Sequence, residues 1–571
     1  MKASDYIVAF LAQRGIDVVF GYIGGMITHL VDSLDKSRNV RFIQTYHEQT
    51  ASMAAEGYAL ESGKFGVAIS TSGPGATNML TGIADAYFGS IPVLYITGQV
   101  NTYEYKYNKK IRQQGFQETD IVSIAKPITK YAVFVDNAEN LCYELEKAVH
   151  IATSGRKGPV LIDLPMDVSR AHIEPSRMRK YEERMDLPES FDMGEILELI
   201  RQAESPMVLV GGGCVECGKE VQAFLNRYQL PVVTSLMGRG IISEDYVHFI
   251  GMIGSYGNRC ANMAFQKVDL LIALGSRLDT RQTGAKIEDF MPNGNIIHVD
   301  IDINELLYNR LPNRLCVNAD VKVFLEALSE KEPDFHSGKQ WMEWLHHLKE
   351  RYNQQKEIER FVSNKAPYRF IQYLNQYTKE NDVITLDVGQ NQMWAAQTLE
   401  MKAGQKFITS GGLAPMGFSL PVAIGVAFAN PSRRIFCLNG DGGFHMAVQS
   451  LLLISQYHLN IKVIVFNNAS LGMITQFQHL YFEGRMAGTT DAGGYLVPSI
   501  VDLASAYGLP YVKISEKSLD ALAPYFSSED PVVIEYEIDS LTTVSPKLEY
   551  NKPIYRPTPD LNLSDDVAGN E

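Results

Sequence analysis

The sequence predicts an α/β fold of three doubly wound parallel-sheet domains, and three observations carry that prediction. Short β-branched runs alternate with helix-like segments along the chain, the pattern of parallel sheets covered by helices. Several of those runs end in glycine turns, as at Gly73-Pro74-Gly75, Gly211-Gly212-Gly213 and Gly440-Asp441-Gly442. Two charged, irregular stretches, 171–192 and 329–367, cut the chain into three blocks. At 571 residues the chain is too long for one core and has room for three or four domains. The expected boundaries are 1–170, 190–335 and 365–550, with 551–571 left as a tail.

Blocks one and three share a layout. In the first, an apolar strand over 65–70 meets the glycine turn of 71–78, then a helix-like segment and a second strand over 91–96. In the third, a strand over 434–438 meets Asn439-Gly440-Asp441-Gly442-Gly443, then a helix-like segment and a strand over 462–466. This is a repeat of architecture rather than of sequence. The middle block has strands ending at Gly211-Gly212-Gly213, at Gly275-Ser276-Arg277 and at Asp300-Ile301-Asp302. Apolar strands ending in glycine or an acid suit a nucleotide lying across the carboxyl ends of a doubly wound sheet. Residues 341–360 read as one strongly charged helix. The stretch from 545 to the end, rich in Pro, Asn and Asp, reads as a strap over a site or a disordered tail.

Composition narrows the function. A hydrophobic fraction of 45% and a charged fraction of 21% are those of an ordinary globular protein. A net charge of −14 argues against nucleic acid or an anionic membrane as partner. Lys109-Lys110-Ile111-Arg112 is the one short basic cluster worth noting, and it reads first as a solvated loop face. Six cysteines do not make a disulfide framework in a chain of this size. Cys214 and Cys217 form a lone Cys-x-x-Cys pair without the partners a zinc site needs. Cys142, Cys260, Cys316 and Cys437 read as small core residues. No apolar run approaches the ~20 residues of a membrane span, so a soluble, reducing, cytoplasmic setting is expected.

The strongest chemical signal is Gly440-Asp441-Gly442, followed after one more strand by Asn467-Asn468. Magnesium takes hard oxygen ligands and usually shares them with phosphate oxygens. Asp441 offers a carboxylate, Asn468 an amide oxygen and Ser470 a backbone carbonyl. Gly442 and Gly443 allow close approach to a helix start whose N–H groups face the phosphates. Either motif alone is more often a turn and a helix cap. Together, each after an apolar strand, they are specific.

That arrangement resembles the thiamine diphosphate motif of the pyruvate decarboxylase and acetolactate synthase superfamily. Gln44-Thr45-Tyr46-His47-Glu48-Gln49 is similar to the family's glutamate segment. The segments 72–78, 96–100, Gly115-Phe116-Gln117-Glu118-Thr119-Asp120, Asp387-Val388-Gly389-Gln390 and 467–478 resemble acetolactate synthase in particular. The resemblance implies a pyrimidine-binding domain, a central domain that often holds FAD, and a diphosphate-binding domain. It implies a homodimer or homotetramer with each active site between subunits. It makes Glu48, which the residues alone present as a helix-start acid, the carboxylate that activates the cofactor ring. Phe116 and Gln117 match residues that contact substrate. The implied cofactor set is Gly25, Pro74, Asn78, Gln390, Asn391, Met416, Gly440, Gly442, Gly443 and Met473, with Met416 propping the cofactor into its bent shape. The implied metal set is Asp441, Asn468 and Ser470, holding Mg2+. The implied FAD set is Arg156, Gly211, Gly212, Gly213, Met237, Gly251, Met252, Gly275, Ser276, Arg277, Arg281, Asp300 and Ile301; arginine suits the dinucleotide phosphates.

Three positions depart from the acetolactate synthase pattern, and all bear on substrate. Met166 stands where lysine is common, Asn391 where histidine is usual, and Phe477 where a tryptophan helps select the second 2-oxo acid. With Ile474, Met166 and Phe477 form the expected substrate pocket. The resulting expectation is decarboxylation of pyruvate, or a similar 2-oxo acid, with carboligation of the acyl carbanion to a carbonyl acceptor. Alternatives are a larger acceptor such as a nucleotide-linked keto sugar met by the segment 103–112, a simple decarboxylase or oxidase, and a silent nucleotide-binding protein.

Overall fold

Apolar runs flanked by helix-forming segments become buried parallel strands, and the computed structural model of the protein arranges eighteen of them in three sheets; it describes residues 1–183 and 191–561. The first sheet holds β1 (Val18–Tyr22), β2 (Arg41–Gln44), β3 (Gly66–Ser70), β4 (Val93–Gln99), β5 (Tyr131–Phe134) and β6 (Val160–Pro165). The second holds β7 (Pro206–Val210), β8 (Val232–Thr234), β9 (Phe249–Met252), β10 (Leu270–Leu274), β11 (Asn295–Asp300) and β12 (Arg314–Asn318). The third holds β13 (Val383–Leu386), β14 (Lys406–Thr409), β15 (Ile435–Gly440), β16 (Ile461–Asn467), β17 (Tyr511–Ile514) and β18 (Val532–Glu537).

Sheet order explains the paired layout of the outer blocks. The first runs β2-β1-β3-β4-β6-β5 and the third β14-β13-β15-β16-β18-β17, the same order once each is counted from its own first strand. The middle sheet runs β12-β11-β10-β7-β8-β9, the dinucleotide-fold order with its reversal between β7 and β10. The three sheets with their flanking helices are of one α/β type.

The outer domains meet through two helices at equivalent places in the repeat. Glu48–Ser62 follows β2, and Ser419–Ala429 follows β14. A Cβ on Gly57 would stand 2.2 Å from the Val422 carbonyl oxygen, and one on Gly425 would stand 1.9 Å from that of Ala54. Backbone therefore lies on backbone, and only glycine fits. Other cross-links reinforce this contact. Lys406 donates to the carbonyls of Leu60 and Glu61 at 2.8 and 3.1 Å, and the Ser410 hydroxyl donates to Asp85 at 2.5 Å.

Two expectations need correction. Residues 341–360 are not one helix but two, Lys339–Arg351 and Gln354–Phe361. Asn353 breaks them by accepting the Lys356 N–H at 2.9 Å, because a capping side chain competes with helix continuation. Cys316 is exposed rather than buried, since it lies on β12 at the sheet edge, while the other five cysteines are buried as free thiols.

The tail reading falls partly outside the described residues, and so does part of 171–192. The described tail packs on the middle domain. Leu548 N–H donates to Ser255 at 2.7 Å, Ile554 is buried, and the buried Arg259 guanidinium donates to the Pro557 carbonyl at 2.9 Å. No helix among the described residues is long and apolar enough to cross a membrane.

Gly425→Ala decides whether the helix crossing limits stability. Helix propensity alone would raise stability by about 1 kcal/mol, whereas forcing a methyl against the Ala54 carbonyl costs about 3 kcal/mol. The expected result is a lower melting midpoint in a thermal unfolding scan.

Candidate active site

The residues singled out in the sequence gather into two clusters on the outer sheets and a cradle on the middle one. In the third domain β15 runs straight into helix Asp441–Met446, making Asp441 its first residue. Parallel pairing with β16, which ends at Asn467, brings the two following loops to the same sheet edge. Asp441 is buried, accepting the Asn468 backbone N–H at 3.0 Å on one oxygen and the Tyr495 hydroxyl at 2.5 Å on the other. Burial pushes the Asp441 carboxyl above its ordinary value, and the Tyr495 and backbone donors oppose that rise.

Asn468 gives its amide N–H to Gln390 at 3.2 Å, and Gln390 donates in turn to the Thr542 carbonyl at 2.8 Å. That leaves the amide oxygen of Asn468 as its remaining acceptor. Ser470 shares this loop, its hydroxyl 2.6 Å from that of Thr475. A carboxylate and an amide oxygen on adjacent loops are a donor set that fits a hard divalent cation.

The glycines are present for close approach. A Cβ on Gly442 would stand 2.9 Å from Met416 Cε and 2.9 Å from the Tyr495 hydroxyl oxygen, and one on Gly443 would stand 2.7 Å from the Asp387 carboxylate. Asp387 is fully buried and accepts the Gly417 N–H at 3.0 and 3.1 Å and the Ser419 N–H at 3.4 Å. It thereby fixes the turn that carries Met416. Burial pushes Asp387 up to about 6 against these donors. Asn391 is also buried, and its amide N–H groups go to the carbonyls of Asp387 and Leu438 at 2.9 and 3.2 Å. Gly440 lies between these two elements as the last residue of β15.

The first-domain cluster is built on the helix after β2. His47 caps that helix by accepting the Gln49 N–H at 3.0 Å, which places Glu48 at its first position. Glu48 is 7% exposed and accepts the Asn78 amide at 3.0 Å. Pro74 opens the short helix that carries Asn78, and a Cβ on Gly75 would stand 3.0 Å from a Glu48 oxygen. Gln117, at φ +63°, backs onto Gly73, where a Cβ would stand 3.1 Å from its carbonyl oxygen. Gly25 opens the turn beyond β1, tied down where the Met26 N–H donates to the Thr71 hydroxyl at 3.3 Å.

The substrate-pocket residues are more open. Phe116 is 80% exposed, and Ile474 and Phe477 are about half exposed on one face of helix Gly472–Tyr481. Met473 of the same helix packs against the third-domain core. Met166, half-buried, begins the helix after β6. Among the described residues no hydrogen bond joins Glu48 to Asp441, Asn468 or Ser470 within the chain.

The middle domain forms a cradle at its strand reversal. A Cβ on Gly211 would stand 2.2 Å from the Gly275 carbonyl oxygen, one on Gly213 would stand 2.8 Å from Gly275 Cα, and one on Gly212 would stand 3.0 Å from Met237 Cβ. Met237, Met252, Arg277 and Arg281 line one cleft there, and Ser276 beneath it donates its hydroxyl to Gln282 at 2.6 Å. Gly251, at φ +138°, leads into Met252. Arg277 pairs with Asp279 at 3.2 Å and Arg281 lies 5.8 Å from the Tyr256 ring centre. Arg156 bonds to Asp302 and Glu305 at 3.0 and 2.6 Å, which places it beside the buried Asp300 and the exposed Ile301. Burial pushes the Asp300 carboxyl up to about 6. The glycine approach and the cationic rim fit a dinucleotide.

Sequence reasoning did not single out Tyr495 or Thr542. Both act across long separations in the chain, and neither stands in a local pattern that announces it.

Comparison with known proteins places these clusters in context. The model of the thiamine pyrophosphate enzyme N-terminal TPP binding domain matches residues 1–124, that of the central domain 193–328, and that of the C-terminal TPP binding domain 387–536. The acetolactate synthase isozyme 2 large subunit of Escherichia coli strain K12 is 36% identical over 555 residues, covering 96% of this chain and 97% of its own. The acetolactate synthase large subunit of Lactococcus lactis is 35% identical over 560 residues, covering 96% of this chain and 94% of its own. The probable acetolactate synthase large subunit of Methanocaldococcus jannaschii is 36% identical over 567 residues, covering 94% of this chain and 92% of its own.

Asp387 gives a pH test of the turn that carries Met416. Its folded value of about 6 lies above an unfolded value of 3.8, so its contribution to stability is fully present below the unfolded value and is lost as pH rises through the folded one. The stability advantage of wild type over Asp387→Asn is expected to fall by about 2 kcal/mol between pH 4 and pH 7. Melting midpoints of both proteins across that range measure it.

Proposed function

Because this chain belongs to the acetolactate synthase large-subunit family of thiamine pyrophosphate enzymes, we propose that it decarboxylates pyruvate or a similar 2-oxo acid and joins the acyl unit to a carbonyl acceptor. The single observation that carries this reading is the pair of prepared clusters. One is a buried carboxylate, Glu48, held by Asn78; the other is an oxygen-donor set, Asp441 and Asn468, beside glycines that leave room for a diphosphate.

Thiamine diphosphate supplies an electron sink for the carbanion left by decarboxylation. The residues of the chain bind and orient. Asp441, the Asn468 amide oxygen and the Ser470 carbonyl would hold Mg2+ and, through it, the diphosphate, with Gln390 fixing the Asn468 amide. Met416 packs over Gly442 and would set the shape of the bound cofactor. Glu48, shielded from water and held by Asn78, would hydrogen-bond the cofactor's aminopyrimidine and hold a proton there. Gln117 and Phe116 meet the substrate, and Ile474, Phe477 and Met166 shape its pocket.

A site between two subunits accounts for the separation of the clusters. Tyr22, Ile23 and Tyr46 are exposed in the segments that follow β1 and precede Glu48, and Leu413 and Met446 are exposed in the turn before Met416 and at the end of helix Asp441–Met446. Apolar rims on both halves suit pairing with a second copy, so a homodimer or homotetramer is the working assembly. FAD is the proposed occupant of the middle cradle, where it serves structure. The six free cysteines accord with a reducing compartment such as the cytoplasm. The domains run 1–170 for the pyrimidine ring, 190–335 for FAD and 365–550 for the diphosphate.

Purified protein with pyruvate, thiamine diphosphate and Mg2+ is expected to release carbon dioxide and form a ligated product. Glu48→Gln is expected to lower that release about 100-fold or more with the melting midpoint kept. Mass spectrometry separates the outcomes: a ligated product supports the reading, acetaldehyde or acetate alone replaces it with a decarboxylase or an oxidase, and an unchanged rate in Glu48→Gln overturns the role of that residue.

A further inference from the structure

We propose that Glu118 is a positioning residue that sets the substrate loop for carboligation; the proposal rests on the reading of Phe116 and Gln117 given above. Glu118 is 5% exposed, and its carboxylate meets three backbone donors of the loop before it. One oxygen accepts the Lys106 N–H at 2.9 Å, and the other accepts those of Gln114 at 2.6 Å and Gly115 at 3.1 Å. Its own backbone is engaged as well, the carbonyl accepting the Gln113 side chain at 3.1 Å and the N–H donating to the Gly115 carbonyl at 3.2 Å.

The loop is also anchored by Tyr105, which is buried and stacks on Phe134 at 4.5 Å, and by the Gln114 side chain, which donates to the Tyr103 carbonyl at 3.0 Å, but the backbone N–H groups of Lys106, Gln114 and Gly115 go to Glu118. Among the described residues, 105–120 contain neither a helix nor a strand. Segments of that kind ordinarily satisfy their backbone donors with water and move. Here one buried carboxylate gathers three N–H groups from both ends of a turn, and charge-assisted bonds of this sort are the strong ones. The consequence falls on the two residues next to Glu118. Gln117 adopts a left-handed backbone, and Phe116 stands almost wholly in solvent, a position an apolar ring leaves by collapsing when its backbone is free. Glu118 thus acts through Phe116 and Gln117 and touches no reacting atom. Its removal weighs most on capture of the acceptor, because there a misplaced Phe116 or Gln117 lets escape of the free aldehyde compete with ligation, whereas decarboxylation depends first on Glu48 and the diphosphate cluster.

Glu118→Gln tests this directly, because it keeps length and volume but turns an amide N–H towards backbone N–H groups. The expected result with pyruvate is near-normal carbon dioxide release, with the ratio of free aldehyde to ligated product raised about tenfold and the acceptor KM raised, while the thiamine diphosphate concentration for half-activation stays within twofold. A merely structural residue would lower release, cofactor activation and ligation together. Should Glu118→Gln fail to fold, Lys106→Pro deletes one of the three donors on the exposed loop, and Lys106→Ala keeps that donor while losing the side chain. K106P is then expected to shift the product ratio several-fold more than K106A. A wild-type product ratio and KM in folded Glu118→Gln, or equal behaviour of K106P and K106A, overturns the proposal. Wild-type protein that releases no carbon dioxide from pyruvate or related 2-oxo acids overturns the functional reading instead.

Discussion

The architecture depends on the crossing of two helices that occupy equivalent places in the outer domains. Glycine at 57 and at 425 lets the backbones of Glu48–Ser62 and Ser419–Ala429 touch, so one repeat is docked on the other without side chains between them. Such a contact fixes orientation far more sharply than an apolar patch, because a backbone carbonyl cannot move aside as a side chain can. Both helices begin at the site. Glu48 is the first residue of one, and the Met416-Gly417 turn immediately precedes the other. The crossing therefore sets the mutual position of the two clusters in the chain.

Much of this was legible in the sequence because the signals are local. Strand, glycine turn and helix recur at 66–78 and at 435–446, and the strand orders of the two sheets turn that likeness into a shared topology. The Asp441 and Asn468 loops meet because adjacent parallel strands must deliver them to one edge. What escaped is long-range or set by the sheet edge. Tyr495 reaches Asp441 from a loop that no periodicity marks. The crossing glycines lie inside apolar helices, where nothing local tells a close approach from an ordinary core position. Cys316 looked like a core residue because its neighbours are apolar, yet β12 has a partner on one side only. Asn353 carried a capping signal that the charged run around it obscured.

The middle domain contributes differently. Its strand reversal brings Gly211–Gly213 against Gly275, and the backbone contact there closes the floor of the cradle rather than joining domains. It is tied to its neighbours at separate points. Arg156 reaches across from the first domain to Asp302 and Glu305, and the buried Arg259 pairs with Glu357 at 2.7 Å while holding the tail at Pro557. A buried ion pair of that kind adds little net stability relative to apolar packing, but breaking it by removing one partner strands a charge. Its role is to fix where the tail runs, which is over the face that also carries Ser255 and Tyr256 of the cleft.

The three positions expected to depart from the family pattern take on unequal weight once placed. Asn391 has given both amide N–H groups to the carbonyls of Asp387 and Leu438, so it ties the end of β13 to β15 and has no donor left. Met166, which begins the helix after β6, carries neither a charge nor a donor. Phe477 alone keeps an aromatic face towards the open side of helix Gly472–Tyr481, next to the half-exposed Ile474. Neither Asn391 nor Met166 therefore offers a free donor or a charge, and Phe477 offers an apolar surface. A pocket built in that way discriminates by shape more than by hydrogen bonding, and shape discriminates weakly, about 1–3 kcal/mol per methylene. Selectivity for the acceptor then rests on how firmly the surrounding loops are held, which places the weight on the loop that presents Phe116 and Gln117 and on the buried carboxylate beneath it.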